Sequence, residues 1–292
     1  MRSGPACIRS ASCSPLWTGT VGGAILESSP VVAGGRVFVG SFDNNLYAFS
    51  AKGCGKATCS PVWIGKTGDH ITSSPAVWKG IVFVGSNDTN LYAFSASGCG
   101  ASNCSPIWTG KTGGQIFESS PAIANGVVYI GAFDSKLYAF NAAGCGSSAC
   151  DPLWTGVTED QFVDSSPAIA NGTVYVGSGD GLLYAFRAAG CGQPSCSPKW
   201  IGLGDGAVAT IASGPAVANG VVYVTKNTAQ VLAYKASGCG AFTCAPLWTG
   251  ATGDPIVTAS PAVVNGTLFV GSSNQNDGAH PGRLFVFTPT TR

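Results

Sequence analysis

Short apolar runs recur along the chain, separated by clusters of glycine, asparagine, aspartate and serine. One unit begins at Ile116 and consists of IFESSPAI, Asn125-Gly126, VVYIGA, FDSK, LYAFNA, GCGSSAC and DPLWTG. The runs are rich in Val, Ile, Phe and Tyr, which favour strands. Asn-Gly between two such runs is typical of a type I′ hairpin turn, whose two central residues need positive φ. The unit therefore predicts four strands joined by three tight connections.

The unit repeats along the whole chain. Six tryptophans mark its copies at intervals of 45 to 48 residues: Trp17, Trp63, Trp108, Trp154, Trp200 and Trp248. A period in this range is typical of propellers and solenoids. Proline stands two residues before each of these tryptophans, as Pro61 does before Trp63. Because proline suits an edge strand, the tryptophan strand is predicted to be the outermost of its sheet.

The two ends of the chain complement each other. Residues 7–19 contain a cysteine loop and a tryptophan strand, whereas the last copy ends on a third strand, 284–287, and lacks both. Pairing the two ends would close a ring and remove free sheet edges. We therefore expect one all-β domain over 1–292, a six-bladed propeller of four-stranded antiparallel blades. The repeats lie near 20–63, 64–108, 109–154, 155–200, 201–248 and 249–292, the last completed by 7–19.

Twelve cysteines form one closely spaced pair in each copy. The pairs are Cys7/Cys13, Cys54/Cys59, Cys99/Cys104, Cys145/Cys150, Cys191/Cys196 and Cys239/Cys244. Zinc needs about four ligands, and each loop offers two thiols with no histidine nearby, so one disulfide per loop is expected. Disulfides indicate an oxidising compartment. Residues 1–14 lack the apolar core of a signal peptide, so we expect a secreted, periplasmic or cell-surface protein whose signal is absent from this sequence.

The repeat resembles a known family. A segment such as SSPAIANGTVYVGS, followed by LYAF-x-A, a glycine and a tryptophan, is similar to the pyrroloquinoline-quinone (PQQ)-like propeller repeat. That repeat occurs in quinoprotein alcohol dehydrogenases and in the outer-membrane assembly lipoprotein propeller, so the resemblance implies the fold and leaves the function open. The sequence lacks the adjacent Cys-Cys pair that the dehydrogenases place over their cofactor. The family's aspartate after the third strand is replaced here by Ser50, Ser95, Asn141, Arg187 and Lys235.

Charge excludes several classes of partner. Lys and Arg total 15 against 14 for Asp and Glu, and no basic stripe is present for a nucleic-acid backbone. No apolar stretch approaches the roughly 20 residues that span a bilayer. The prediction is a monomer that binds neither nucleic acid nor the membrane interior.

Aligning the copies on the proline of SSP reveals positions that differ between blades. Three residues before it stand Glu27, Thr72, Glu118, Asp164, Ala212 and Thr258. Three carboxylates are thus predicted at one mouth of the channel, where they could hold a cation or cationic ligand, or accept hydrogen bonds from neighbouring blades. Five residues before the proline, His70 stands where the other copies have Ile, Phe or Thr.

The last copy carries an insertion, 273–283, that contains His280 and Arg283. Propeller topology predicts that this loop, His70 and Glu27 share one face, where they could form a metal site, an acid/base pair or an anion clamp. Ordinary turn chemistry is the alternative. Asn274, Asn276 and Asp277 faintly resemble a calcium loop that lacks its closing glutamate.

Three aromatic residues, Phe42, Phe133 and Trp78, are candidates for stacking on sugar rings or are ordinary surface residues. Two functions remain open. The first is an exported, non-catalytic scaffold that recognises a glycan, peptide or protein on one face. The alternative is an enzyme with its site at the channel mouth, either a quinone-dependent dehydrogenase using calcium and PQQ or a lyase or hydrolase acting on a sugar.

Overall fold

The computed structural model of the chain describes residues 14–160, 165–204, 209–211, 213–254, 256, 259–272 and 282–288. Every regular element in these ranges is a strand. None of the described segments forms a helix with the length and apolar character needed to span a membrane. The Cys7/Cys13 loop, Asp164 and the insertion residues Asn274, Asn276, Asp277 and His280 lie outside the described residues.

Each copy of the repeat folds as an antiparallel meander, because alternating apolar residues flank tight turns. The inner strands are Val31–Ala33, Ala76–Trp78, Ala122–Ala124, Ala168–Ala170, Ala216–Ala218 and Ala262–Val264. The second strands are Arg36–Gly40, Ile81–Ser86, Val127–Ala132, Thr173–Gly177, Val221–Lys226 and Thr267–Gly271. The third strands are Asn45–Ser50, Asn90–Ser95, Lys136–Asn141, Leu183–Arg187, Gln230–Lys235 and Leu284–Phe287. Successive sheets of this kind form a β-propeller, so each is called a blade.

The tryptophan strands follow the third strands. They are Thr18–Gly19, Trp63–Lys66, Trp108–Lys111, Trp154–Val157, Trp200–Gly202 and Trp248–Ala251. Between third strand and tryptophan strand, the predicted disulfides are confirmed for Cys54–Cys59, Cys99–Cys104, Cys145–Cys150, Cys191–Cys196 and Cys239–Cys244. The predicted first turns are confirmed as well: Asn125 and Gly126 have φ of 50° and 77°, as a type I′ turn requires.

The prediction that the tryptophan strand is outermost is wrong. Each disulfide loop ends in a two-residue strand that pairs in parallel with the tryptophan strand of the preceding blade. These loop strands are Thr58–Cys59, Asn103–Cys104, Ala149–Cys150, Ser195–Cys196 and Thr243–Cys244. The amide of Thr109, for example, donates to the carbonyl oxygen of Ser148 at 2.8 Å. The edge that proline seemed to mark is therefore covered by the next copy.

The core lies between neighbouring blades. Phe83 and Trp108 of one blade pack on Val128 and Phe140 of the next, and the Trp108 ring lies 5.8 and 6.2 Å from the Phe83 and Phe140 rings. Trp108 also covers Gly144 in the next disulfide loop. Burial of these large side chains at each interface joins the blades, since a fully buried Phe contributes about 1.5–3 kcal/mol.

Serine hydroxyls connect the inner strands of successive blades. The amide of Ser29 donates to Ser74 Oγ, that of Ser74 to Ser120 Oγ, and that of Ser120 to Ser166 Oγ, each at 2.9 Å. Gly214 occupies this position in the fifth copy and carries no hydroxyl. The repeated SSP motif is thus explained by hydrogen bonding between blades, as its recurrence predicts.

The last copy differs from the others at its free face. Leu284 and Val286 are 68% and 55% exposed, whereas the equivalent Leu46 and Ala48 are completely buried. Within the described chain, no strand pairing joins Leu284–Phe287 to Thr18–Gly19. The blade count and the closure of the ring therefore stay predictions.

The two glycines of one disulfide loop provide a matched test of the packing between blades. Gly144 and Gly146 both have positive φ, but a Cβ on Gly144 would lie 2.7 Å from Trp108 Cδ1, whereas Gly146 faces open space. Gly146→Ala should lower the free energy of unfolding by about 1 kcal/mol through backbone strain alone. Gly144→Ala should lower it by about 1–3 kcal/mol more through overpacking. Urea unfolding of the oxidised protein measures both, and equal losses would contradict the proposed role of the Trp108 contact.

Candidate functional site

One end of each blade is formed by two segments. The connection that enters the inner strand meets the turn between the second and third strands, and backbone bonds join Phe42 to Ala24, Asn87 to His70, and Phe133 to Gln115 at 2.9–3.0 Å. We call this end the connection face. The disulfide loops lie at the opposite end because the third strand runs away from the connection face. His70, Phe42 and Phe133 therefore share one face of the molecule.

Tyrosine–aspartate pairs brace the connection face. In four copies, the tyrosine hydroxyl of the third strand donates to the turn aspartate at 2.5–2.6 Å: Tyr47/Asp43, Tyr92/Asp88, Tyr138/Asp134 and Tyr184/Asp180. The same oxygen accepts a bond from the connection, as from the Gly113 amide to Tyr138 at 2.7 Å. Burial and then the neighbouring carboxylate raise the pKa of Tyr92 to about 12, so its hydroxyl keeps its proton. The shared turn aspartates are thus committed to the fold.

His70 bridges the first and second blades. Its Nδ1 lies 2.9 Å from Asn44 Oδ1, and its ring stacks on Phe42 with the ring centroids 4.7 Å apart. The Asp69 carboxylate lies 3.6 Å from the same nitrogen. An Nδ1–H tautomer donates to Asn44. His70 therefore holds neighbouring turns together, while 44% of its side chain stays accessible to a partner.

Two of the three predicted carboxylates are described, and they interact. Glu27 is exposed and Glu118 is half-buried. Burial raises the pKa of Glu118, and the negative charge of Glu27 raises it further. The amide of Glu118 donates to Thr72 Oγ1 at 3.2 Å, so equivalent positions of neighbouring copies meet as the alignment predicts.

Glu118 also has an unusual backbone. Its φ is 54°, whereas the other non-glycine residues with positive φ in the described ranges lie in hairpin turns. A glutamate in the left-handed region is strained by about 1–3 kcal/mol. Backbone strain of this kind concentrates at functional sites, which singles out this residue among the repeat positions.

The predicted aromatic candidates divide between the two ends of the blades. Phe133 forms an edge contact with Phe117 at 5.8 Å on the connection face. Trp78 lies at the opposite end, where it packs against the next blade near Gly126 and Lys79 Nζ lies 4.8 Å from its ring centroid. Phe42 and Phe133 thus remain candidates for partner contact, and Trp78 serves packing between blades.

Arg283 forms an ion pair with Asp254, whose Oδ2 lies 3.5 Å from Nε. The residues with which Arg283 was expected to act include His280, which lies outside the described residues, as do Asp277 and Asp164. The described geometry joins His70 to Asn44 and Phe42, and Glu27 to Glu118. The combined site of His70, Glu27, His280 and Arg283 stays a prediction.

The connection face does not fit PQQ. In the described ranges, no three His, Cys, Asp or Glu side chains converge as a metal site. PQQ is a multiply anionic quinone, and Glu27 and Glu118 already raise the local negative charge enough to shift a pKa. A second anion at this mouth would be repelled, whereas a cationic side chain would be attracted. The arrangement suits binding of cationic and aromatic groups.

Sequence reasoning missed Lys226. This lysine is completely buried at a position where the other copies have Ser41, Ser86, Ala132, Ser178 and Ser272. Its Nζ lies 2.8 Å from the place a Cβ on Gly204 would occupy. The alignment that identified His70 carries the same signal for Lys226, since both replace an otherwise uniform position.

Comparison with known proteins agrees with the repeat. The sequence profile of the outer membrane protein assembly factor BamB family matches residues 5–190. A search of curated protein sequences finds no match. Among solved structures, the computationally designed Ika8 protein is 12% identical with a TM-score of 0.61, and the alignment covers 84% of this chain and 67% of that protein. BamB from Moraxella catarrhalis is 15% identical with a TM-score of 0.47, covering 87% and 82%.

The raised pKa of Glu118 predicts a pH-dependent stability. The folded protein binds this proton more tightly than the unfolded chain does, so stability falls as pH rises above the ordinary value of 4.5. Glu118→Gln should therefore raise the free energy of unfolding at pH 7 and have no such effect below about pH 4. The exposed Glu159→Gln variant is the control. Equal effects of Glu118→Gln at both pH values would contradict the prediction.

Proposed function

Since the chain belongs to the family of the outer membrane protein assembly factor BamB, we propose that it is an exported, non-catalytic binding propeller. Its connection face receives a peptide or protein partner. Glu27, His70 and Glu118 contact this partner, and Asp164, Asp277 and His280 extend the same surface. A glycan is the alternative ligand, which the test below separates.

The observation that carries this proposal is where the unshared side chains concentrate. The polar groups common to all copies are occupied within the fold, as the serine ladder and the Tyr–Asp pairs illustrate. The Phe42–His70 stack and the Phe117–Phe133 pair occur in single copies and lie on the connection face. Aromatic side chains beside a carboxylate suit the basic and apolar side chains of a peptide, which bind through cation–π contacts and charge.

We also propose that the chain is one monomeric domain over 1–292 with six blades in a closed ring. Trp17 lies 6.1 Å from Phe49, just as Trp63 lies 6.2 Å from Phe94 in the next blade. Thr18–Gly19 thus has the position of a tryptophan strand that precedes the first blade. Leu284 and Val286 are the apolar positions that a following blade covers elsewhere. Closure would bury them against the first blade.

The proposed location is outside the cytoplasm. Five disulfides are present in loops that hold neighbouring blades together. Such bonds persist in the periplasm, at the cell surface or in the medium, and are rare where thiols are kept reduced.

The test uses a phage-displayed library of random peptides, selected on the oxidised protein, with a glycan array in parallel. Phe133→Ser should weaken the selected peptides at least about tenfold, the loss expected for an aromatic contact. Phe242→Ser is the matched control, because Phe242 is 55% exposed in a disulfide loop at the opposite end. Equal affinity of both variants, or binding by glycans alone, would overturn the assignment of a peptide site to the connection face.

A further inference from the structure

The tryptophan strand Trp248–Ala251 has an open edge in the described part of the chain. The other tryptophan strands each pair with a loop strand from the following copy. Trp248 is only half-buried, whereas Trp63, Trp108, Trp154 and Trp200 are 1–4% exposed. One seat in the repeating pattern is therefore without a described occupant.

The five described pairs share one register. The residue after the tryptophan lies opposite the residue before the second cysteine, and the following glycine lies opposite that cysteine, as in Thr109↔Ala149 and Gly110↔Cys150. The amide after the tryptophan donates to the carbonyl two residues before the second cysteine, at 2.7–2.8 Å in each pair. The seat beside Trp248 thus specifies both the strand direction and the atoms that it requires.

One segment of this chain has the matching sequence. Cys13 stands four residues before Trp17, the same spacing as Cys59 before Trp63, and its loop is the one expected to follow the fifth blade in a closed ring. We propose that Ser12–Cys13 pairs in parallel with Thr249–Gly250, the Thr249 amide donating to the carbonyl oxygen of Ala11. This clasp rests on the proposed closure of the ring and adds a second contact beyond the pairing of Thr18–Gly19 with the last copy.

Two departures limit the likeness to the backbone. The Cys7/Cys13 loop has one residue more than the others, and Ala6 stands where they have the glycine that Trp63 or Trp108 covers. A Cβ there would lie 2.6–2.7 Å from the ring in the described loops, so the Trp248 ring must pack differently. The parallel pairing uses main-chain groups and needs neither feature.

Amide hydrogen exchange of Thr249 tests the clasp directly. In the oxidised wild-type monomer, its amide should exchange slowly, as the amides of Ile64 and Thr109 should. Cys7→Ser/Cys13→Ser should speed Thr249 exchange at least about tenfold and leave Ile64 unchanged, because a lost hydrogen bond of about 1.4 kcal/mol is a tenfold change. The matched control Cys99→Ser/Cys104→Ser should have the opposite pattern, since Ile64 pairs with that loop.

A second variant does not depend on the cysteines. Proline at an open edge is tolerated, but at a paired edge it removes a donor. Thr249→Pro should therefore lower the melting temperature as much as Thr109→Pro, whose amide is bonded to Ser148. A much smaller loss for Thr249→Pro would overturn the clasp.

Two further outcomes would also overturn it. Rapid exchange of Thr249 in the wild-type monomer would leave the seat empty, and slow exchange only in a dimer, detected by light scattering, would assign the seat to a second copy. Thiol labelling of Val286→Cys separates this failure from failure of ring closure. Slow labelling with rapid Thr249 exchange would retain the ring and reject only the clasp, whereas rapid labelling would reject both.

Discussion

The fold depends on main-chain hydrogen bonds that each disulfide loop forms with the blade before it. In the described pairs the loop contributes only two residues, yet it covers the edge of a four-stranded sheet and positions a glycine under the tryptophan. A loop this short would be costly to order for so few contacts. The disulfide reduces that cost because it restricts the loop before folding, by about 2–3 kcal/mol on the chain-entropy model. The recurrent cysteines therefore stabilise the interface between blades as well as the loop itself.

The same logic explains why so polar a set of repeat residues leaves so little charge on the protein. Serine hydroxyls bridge inner strands, and aspartates accept from buried tyrosines, so each shared polar group satisfies a backbone or hydroxyl partner nearby. Charged residues make up 10% of the chain, and these networks are largely neutral. A network of this kind tolerates few substitutions, because removing one member leaves another buried and unpaired. The repeat is uniform at these positions for a physical reason.

Local features of the fold were predictable from the sequence. The type I′ turns follow from Asn-Gly, and the disulfides follow from paired cysteines with no other ligand nearby. The outer edge was mispredicted because the strand that covers it comes from the next copy, about 40 residues away, and proline reports only the local donor. His70 was identified by its rarity, but its partners Asn44 and Phe42 belong to another blade. No residue type signals the left-handed backbone of Glu118, since its neighbours impose it.

These differences between copies bear on function. Identical copies would give a ring with the same surface on each blade, so selectivity for one partner has to come from residues that the copies do not share. In this chain the unshared residues at the connection face are aromatic and acidic, and the net charge of +1 offers little long-range attraction. Recognition must then depend on short-range contact, where aromatic burial and a single carboxylate decide affinity through the rate of dissociation. A rigid frame of interlocked blades suits that mode of binding, because side chains held in place before contact lose less conformational entropy when the partner arrives.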